Sequence, residues 1–293
     1  MKISPIFQDK KLVFSLEIFP PKKNGDIASI YHTLDELASI HPDCISVTYG
    51  AGGTAVGNLT TTIASRIKHE YHLEPVAHLT CLHNSKERIR QTLEDLRANG
   101  IENILALRGD RNPDLPVVND FRYASDLVEY IFSHYDCFHV AGACYPEAHP
   151  ESPDLETDIM HLKHKVNAGV SHLITQLFFD NKDFYHFMYR LKASGIQVPV
   201  EAGIMPVINS KQIRRMVSMC GASLPAKFSK MISRYETNGD ALFDAGIAYA
   251  TEQIIDLIAS GVDGIHLYTM NNPKVALRIY DNIKNILTSV NGK

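Results

Sequence analysis

Residues 103–110 read Asn-Ile-Leu-Ala-Leu-Arg-Gly-Asp, an apolar run that stops abruptly at an arginine, a glycine and an aspartate. The run from Ile104 to Leu107 does not alternate between apolar and polar residues, which is typical of a strand buried on both faces. Charged residues at the end of such a strand must lie where the sheet opens to solvent or to a ligand. Residues 103–110 therefore predict a buried strand that delivers Arg108 and Asp110 to one edge of a sheet.

The same pattern recurs in five other apolar runs, each of which carries a polar residue toward its end. These are residues 12–19 with Glu17, 44–50 with Thr48 and Tyr49, 75–80 with His78, 140–147 with Tyr145, and 172–180 with Gln176. Two shorter runs, 199–204 and 264–268, complete a set of eight predicted strands. The sequence thus predicts that polar side chains gather at one rim of a largely apolar sheet.

Amphipathic segments that are predicted as helices alternate with these strands. They are residues 27–40, 60–71, 85–99, 124–135, 154–168, 182–194, 210–219 and 273–287. Alternating strands and helices imply parallel pairing, and eight such units in 293 residues match an α/β fold of the closed (β/α)8 type, the TIM barrel. In that fold the active site lies at the carboxyl ends of the strands. The alternative is an open doubly wound sheet, which places its ligand at a topological switch point.

The stretch after the seventh strand departs from the simple repeat. Residues 221–240 are predicted as an irregular excursion, followed by a long helix at 241–260. An excursion over the mouth of a barrel can carry substrate contacts, or it can be an ordinary loop. The sequence leaves both readings open.

Composition limits the class of protein. With 45% hydrophobic residues and no low-complexity linker, residues 1–293 are predicted to form a single domain. A net charge of -4 offers no basic field for nucleic acid, and no apolar run approaches the length of a membrane span. Five cysteines without a Cys-x-x-Cys pair argue against a disulfide framework, and Cys44 and Cys144 are predicted as buried thiols. We expect a cytoplasmic protein without nucleic-acid or membrane partners.

The glycine-rich residues 50–55 follow a strand and fit the dinucleotide pattern G-x-G-x-x-A. The sequence argues against that function because residues 56–59 are expected to separate the loop from its helix, and because the strand is second in order rather than first. A loop that lets backbone approach a ligand is the preferred interpretation.

The 14 histidines raise the question of a metal-dependent hydrolase. No His-x-His stands at a predicted strand end, and no His-Glu-x-x-His occurs on a predicted helix. No metal site is therefore expected.

The predicted rim offers two carboxyl groups, Glu17 and Asp110, but no serine or cysteine beside an obvious base, so nucleophilic catalysis is not supported. Glu17 stands between Leu16 and Ile18. Apolar surroundings disfavour the charged form of a carboxyl, which suits a general acid at neutral pH. A structural carboxyl paired with Arg108 or with a lysine fits the local sequence equally well, and Asp110 could be a helix cap.

Seven segments taken together resemble methylenetetrahydrofolate reductases of the bacterial, FAD-dependent type. In order along the chain they are residues 14–21, 46–51, 77–81, 106–110, 123–127, 145–151 and 174–180. The resemblance runs to about Thr269 and is to the catalytic domain of that family. It implies an FAD-containing (β/α)8 barrel that reduces 5,10-methylenetetrahydrofolate to 5-methyltetrahydrofolate, with NADH or NADPH as electron donor. A homo-oligomer is implied by family likeness alone.

The resemblance also implies catalytic roles for three residues. Glu17 is the general acid that protonates N10 as the imidazolidine ring opens. Asp110 orients the folate ring, and its negative charge makes the reduced flavin a stronger hydride donor. Gln176 bonds whichever substrate stacks on the flavin, and a single stacking face shared by both substrates implies ping-pong turnover.

The implied FAD site draws on residues from many parts of the chain. They are Thr48, Tyr49, Ala51, His78, Arg108, Gly109, Asp110, Tyr123, Ala124, Tyr145, His149, Asp158, His161, His164 and Lys165. Arg108 and Lys165 supply positive charge for a pyrophosphate. The last four residues are spaced so that one helix face is expected to carry them all toward the adenylate half.

Two positions depart from the family pattern. Many bacterial relatives have an arginine where this chain has Asn272, so an ionic contact to the folate glutamate tail is in doubt. Lys230 stands near a position often occupied by glutamine and is a candidate for binding the tail carboxylate. Two rival functions remain open, a folate- or flavin-binding accessory protein without turnover and a metal-dependent barrel hydrolase.

Overall fold

Eight parallel strands pair in sequence order, and the last closes the sheet against the first. The computed structural model describes residues 1–21, 25–49, 56–111, 118–209, 213, 216, 217 and 220–292, without the side chains of residues 56–58. The strands are β1 (Val13–Ile18), β2 (Cys44–Val47), β3 (Glu74–Thr80), β4 (Asn103–Leu107), β5 (His139–Cys144), β6 (His172–Thr175), β7 (Val200–Ile204) and β8 (Gly264–Tyr268). The predicted (β/α)8 barrel is confirmed, and the open doubly wound alternative is wrong.

One short helix precedes β1, and the other described helices lie in the segments that follow the strands. They are α1 (Ser4–Asp9), α2 (Ile27–Ala38), α3 (Val56–His69), α4 (Lys86–Ala98), α5 (Ala124–His134), α6 (Leu155–Asn167), α7 (Asn181–Ala193), α8 (Ala226–Tyr235), α9 (Gly239–Ala259) and α10 (Pro273–Asn291). Most of the predicted helix at 210–219 lies outside the described residues. Within the described ranges, no helix combines the length and apolar character that a membrane crossing requires.

The prediction of an irregular stretch at 221–240 is wrong. This stretch contains α8, whose Phe228 and Ile232 are buried against Leu177 and Phe179 near the carboxyl ends of the strands. The spacing of four residues between Phe228 and Ile232 places both on one face of a helix. The following helix, α9, begins at Gly239, two residues before the predicted start.

The glycine-rich residues 50–55 lie outside the described residues, but the start of the next helix is described. α3 begins at Val56, so the expectation that residues 56–59 separate the loop from the helix is wrong. These four residues contain no proline, and their one glycine costs a helix only about 1 kcal/mol. The closed barrel, rather than the loop spacing, therefore distinguishes this fold from a doubly wound nucleotide-binding fold.

The strand register explains how an apolar strand can present polar groups. On β1, Ser15 pairs with His266 of β8, and Glu17 pairs with Tyr268. Side chains two residues apart in a strand face the same side, so these four polar residues share the interior of the barrel. The intervening Leu16 belongs to the main apolar core with the surrounding helices.

The barrel is closed at its amino-terminal end by the segment before β1. Ile3 is completely buried and packs with Val76, Leu105 and Ile174. The backbone N–H of Ile3 donates to Oδ1 of Asn103 over 2.9 Å. The six-residue helix α1 was not predicted, because so short a segment shows no helical period. Cys44 and Cys144 are buried free thiols, as predicted.

Candidate active site

Glu17 lies near the carboxyl end of β1, between two histidine side chains. Its Oε2 is 3.5 Å from Nε2 of His78 on β3 and 3.5 Å from Nε2 of His266 on β8. The Glu17 side chain is 17% exposed, so it opens toward the mouth of the barrel. Among the described residues, Glu17 is thus paired with imidazoles, and not with Arg108 or a lysine as in the alternative interpretation of a structural carboxyl.

The two imidazoles differ in their surroundings. Burial lowers the pKa of His78 to about 4, although the charge of Glu17 opposes that shift, so His78 is neutral at pH 7. His266 is fully buried, and its Nδ1 lies 2.7 Å from Oγ of Ser15. Within the described part of the chain, Nε2 of neither ring has a partner with hydrogen-bond geometry. His266 was not predicted as a site residue. Its one signal in the sequence is that it is a polar residue inside the predicted strand 264–268.

Arg108 reaches the rim after β4, where it meets an acidic partner that the sequence did not reveal. Its Nη1 and Nη2 donate to Oε2 and Oε1 of Glu151 over 2.8 and 2.7 Å. The hydrogen bonds from Arg108 lower the pKa of Glu151 to about 2. Gly109 has φ of +86°, and a Cβ there would stand 3.1 Å from Cβ of Thr80. Only glycine fits this backbone without strain, so β4 turns sharply and leaves Asp110 exposed.

Tyr145 and His149 follow β5 and face each other with ring centroids 4.8 Å apart. Burial, followed by the nearby Cys220 and Asp110, raises the pKa of Tyr145 to about 12, so its hydroxyl stays protonated. The carboxylate of Asp158 accepts hydrogen bonds from the backbone N–H of His149 at 3.1 Å and from Oγ of Ser152 at 2.9 Å. Asp158 therefore anchors the loop that carries His149.

The expectation that Asp158, His161, His164 and Lys165 share one face of α6 is wrong, whereas their binding of a ligand stays a prediction. Lys165 turns inward, and its Nζ donates to the carbonyl oxygen of Ala143 over 2.7 Å, whereas His161 and His164 are exposed. Seven residues make almost two turns of a helix, so Asp158 and Lys165 align, while His164 lies about a third of a turn away from Asp158. Burial lowers the pKa of Lys165.

Gln176 directly follows β6. Its side-chain Oε1 accepts from the backbone N–H of Leu177 over 2.9 Å, which leaves the side-chain NH₂ as a donor. Nearby, the hydroxyl of Tyr268 donates to the carbonyl oxygen of Thr175 over 2.7 Å. Tyr268 was not predicted as a site residue, because its position above Glu17 depends on closure of the barrel between β8 and β1.

The two positions that depart from the family pattern lie in different settings. Lys230 is exposed on α8, on the side opposite the buried Phe228 and Ile232. Asn272 is the N-cap residue of α10. The preceding Asn271 bonds both backbone groups of Phe19, with its Oδ1 accepting at 2.9 Å and its Nδ2 donating at 2.8 Å, and so ties β8 to the end of β1.

The remaining predicted residues also border the mouth of the barrel. The backbone N–H of Thr48 donates to the carbonyl oxygen of Ile18 over 3.0 Å, and Tyr49 is half-buried beside it. Tyr123 is 56% exposed at the start of α5, while the neighbouring Ala124 is buried. Ala51 lies outside the described residues. No three histidine, cysteine, aspartate or glutamate side chains in the described ranges are grouped to hold a metal ion.

These features fit a flat aromatic cofactor with an anionic chain. The exposed ring of Tyr123 offers a face for stacking, and the unpartnered Nε2 of His78 can accept a hydrogen bond. Arg108 and Lys165 supply positive charge, although Arg108 is already paired with Glu151. An anion bound to Arg108 must therefore share it with, or displace, the carboxylate of Glu151.

Comparison with known proteins gives a matching family and several named relatives. The family model described as methylenetetrahydrofolate reductase matches residues 2–284. The Arabidopsis thaliana protein named methylenetetrahydrofolate reductase (NADH) 1 is 37% identical over 296 residues, covering 96% of this chain and 50% of the relative. The Escherichia coli K12 protein named 5,10-methylenetetrahydrofolate reductase is 34% identical over 265 residues, covering 90% and 88%. The chain thus spans about half the length of the plant relative and most of the bacterial one.

Two solved structures share the fold at low sequence identity. One is an uncharacterized protein from Clostridium thermocellum that binds two copies of 5-methyl-5,6,7,8-tetrahydrofolic acid, with a TM-score of 0.68, 13% identity and coverage of 99% of this chain and 100% of that one. The other is a dihydropteroate synthase from Coxiella burnetii, with a TM-score of 0.56, 12% identity and coverage of 96% and 94%. The family model and the bacterial relative, rather than these structures, decide the assignment, and they show that this chain belongs to the methylenetetrahydrofolate reductase family.

Proposed function

We propose that this chain reduces 5,10-methylenetetrahydrofolate to 5-methyltetrahydrofolate, with NADH or NADPH as electron donor and FAD as cofactor. The observation that carries the proposal is the carboxyl of Glu17, held between two buried imidazoles at the mouth of a barrel of this family. Opening the imidazolidine ring of the substrate requires a proton at N10, and the position of Glu17 at the mouth of the barrel supports its role as the donor.

Two neighbours of Glu17 support the proposed role of Glu17 as a proton donor. His78 is neutral at pH 7, since burial lowers its pKa to about 4. Burial raises the pKa of Tyr268 well above its ordinary value, and the hydroxyl of Tyr268 donates to the Thr175 carbonyl instead of to Glu17. Neither His78 nor Tyr268 therefore offers Glu17 a positive charge, which supports the proposed role of Glu17 as a proton donor.

The residues proposed to hold FAD are those that the family resemblance implies. They are Thr48, Tyr49, Ala51, His78, Arg108, Gly109, Asp110, Tyr123, Ala124, Tyr145, His149, Asp158 and Lys165, with His161 and His164 on the exposed side of α6. When bound, FAD supplies the hydride that reduces the folate and accepts one from the nicotinamide. Arg108 and Lys165 would meet its diphosphate, since both carry positive charge, Arg108 directly after β4 and Lys165 beside the neighbouring strand β5.

Gln176 and Asp110 would bind the substrates. The backbone N–H of Leu177 donates to the side-chain oxygen of Gln176. The side-chain NH₂ group of Gln176 is therefore the part that can donate to a nicotinamide or a pterin. Asp110 is exposed at the rim and can accept from the amino and ring N–H groups of a pterin. If both substrates use this one face, they cannot bind together, and turnover is ping-pong. Lys230 is a further candidate for the glutamate tail of the folate.

A spectral experiment on the purified protein tests this function. A yellow protein with a flavin spectrum that bleaches when NADH or NADPH is added without oxygen, and recovers when methylenetetrahydrofolate is added, supports the reductase. Bleaching without recovery would leave only a flavin-binding protein, and a colourless protein that cannot be reconstituted with FAD would contradict the proposal. A comparison of the two nicotinamides in the same assay identifies the donor.

A further inference from the structure

A line of polar side chains leads from Glu17 into the interior of the barrel. Nε2 of His266 faces Oε2 of Glu17 at 3.5 Å, and Nδ1 of the same ring lies 2.7 Å from Oγ of Ser15. The hydroxyl of Ser15 donates in turn to Oε2 of Glu201 on β7. Ser15, Glu201 and His266 are all completely buried, so bulk solvent does not compete for these hydrogen bonds.

Glu201 is charged despite its burial. Burial by itself would raise the pKa of Glu201, but the nearby His172 brings that pKa below its ordinary value. Nε2 of His172 lies 3.4 Å from Oε1 of Glu201, and Nδ1 of His172 lies 2.8 Å from Nε2 of His139. His172 thus faces one oxygen of the carboxylate without hydrogen-bond geometry, and Ser15 donates a hydrogen bond to the other.

A carboxylate can only accept hydrogen bonds, and this fixes the direction of the whole line. The hydroxyl of Ser15 must point its hydrogen at Glu201, so its oxygen is left to accept from Nδ1–H of His266. A neutral imidazole with hydrogen on Nδ1 has a bare lone pair on Nε2. Nε2 is the atom that faces Glu17, and it can bond the Glu17 carboxyl only when that carboxyl carries a proton.

We infer that Glu201 is a positioning residue for the reaction, which acts through Ser15 and His266 to set which hydrogen-bonding group of His266 faces the Glu17 carboxyl. The inference rests on the proposed role of Glu17 as the acid that protonates the folate. No net proton transfer is involved, because Glu201 selects one of the two neutral tautomers of His266.

The other titratable neighbours leave this assignment intact. Glu17 is also faced by His78 and Tyr268, which are both uncharged at neutral pH. Glu201 is also faced by His172, and by Cys44 of β2, whose pKa is raised well above its ordinary value by burial and by the charge of Glu201, so that it remains a thiol.

Glu201→Gln tests the inference, because it keeps the shape of the side chain and reverses the donor–acceptor direction of the hydrogen bonds from residue 201 to Glu17. With its amide oxygen on His172, Gln presents NH₂ to Ser15. The Ser15 hydroxyl then donates to Nδ1 of His266, and Nε2–H points at Glu17 and favours the carboxylate. The rate of the folate half-reaction is measured by stopped flow from about pH 5 to 9. In Glu201→Gln the pH at which this rate declines is expected to be at least one unit lower than in the wild type. On the alkaline side that shift makes the half-reaction about tenfold slower.

The nicotinamide half-reaction and the flavin content should not change in Glu201→Gln. Ser15→Ala, which cuts the line, is expected to shift the same pH profile in the same direction, while Ser15→Thr keeps a hydroxyl and should restore the profile. Ser46→Ala is the matched control. Its hydroxyl is buried on β2 and has no hydrogen-bond partner among the described residues, so the profile should stay at that of the wild type.

A wild-type pH profile in both Glu201→Gln and Ser15→Ala would overturn the inference. A measurement on the wild-type protein tests the inference even if a variant fails to fold. ¹⁵N NMR of the histidines should show the hydrogen of His266 on Nδ1, and a hydrogen on Nε2 would contradict the inference. The test is separate from that of the proposed function. If Glu17→Gln still reduces folate at the wild-type rate, the proposed acid role of Glu17 is wrong. If Glu17→Gln loses folate reduction but the pH profiles of Glu201→Gln and Ser15→Ala are unshifted, only the role of Glu201 is wrong.

Discussion

Gly203 on β7 lies where the barrel interior has no room for a side chain, and Gly203→Ala should destabilise the protein strongly. A Cβ at this position would stand 2.3 Å from the carbonyl oxygen of Thr175 and 2.8 Å from the hydroxyl of Tyr268. The first of these atoms is backbone, so rotation of a side chain cannot relieve the contact. Either β6 and β7 separate, or Tyr268 leaves its 2.7 Å hydrogen bond to Thr175.

The expected loss follows from these two contacts. Overpacking of a rigid interior costs about 1–3 kcal/mol, and a lost buried hydrogen bond adds about 1 kcal/mol. We therefore expect Gly203→Ala to lower the free energy of unfolding by about 2–4 kcal/mol, as measured by urea denaturation. Gly239→Ala is the matched control, since a Cβ there meets nothing within 4 Å and residue 239 begins α9. A loss in Gly203→Ala no larger than in the control would refute the packing argument.

Three further predictions concern the cofactor region and α8. Arg108→Ala should weaken FAD binding by about tenfold or more, because a charge-assisted contact is worth about 1.5–3 kcal/mol, whereas Arg111→Ala, which removes a 78% exposed side chain, should leave the flavin content unchanged. The stability that Glu151 gains from Arg108 should be present above the ordinary carboxyl pKa and lost as pH falls toward about 2, because the pKa of Glu151 is lowered in the folded state. At 45% exposure this contribution should not exceed about 1 kcal/mol, and an equal acid transition in Glu151→Gln would contradict it. Phe228→Ala should cost about 3–5 kcal/mol in urea denaturation if α8 packs as described, and a cost below about 1 kcal/mol would show that it does not.

The fold was predictable because its signals are local. Unbroken apolar runs such as residues 104–107 gave the strands, and intervening amphipathic segments gave the helices and hence the parallel order. Helix α8 was missed, since its short apolar face lies among polar residues and its partners, Leu177 and Phe179, are distant in sequence. Its burial is a consequence of the barrel, so the local pattern alone could not reveal it.

The candidate site was predictable only where the chemistry is carried by single residues at strand ends. Glu17 could be selected from an apolar strand, but its neighbour His266 could not, because the two meet only when β8 closes against β1. The pairing of Arg108 with Glu151 likewise joins residues 43 positions apart through a folded loop. The inward turn of Lys165 could be decided only by the orientation of α6 on the barrel.

The central claim is that Glu17 gives a proton to the folate and takes no part in accepting hydride from the nicotinamide. Anaerobic stopped-flow measurement of both half-reactions in Glu17→Gln tests it most directly, with Glu252→Gln on the exposed surface of α9 as control. We predict that Glu17→Gln bleaches with nicotinamide at the wild-type rate and that its reduced flavin is not reoxidised by methylenetetrahydrofolate. Equal loss of both half-reactions, or wild-type reoxidation by the folate, would contradict the account.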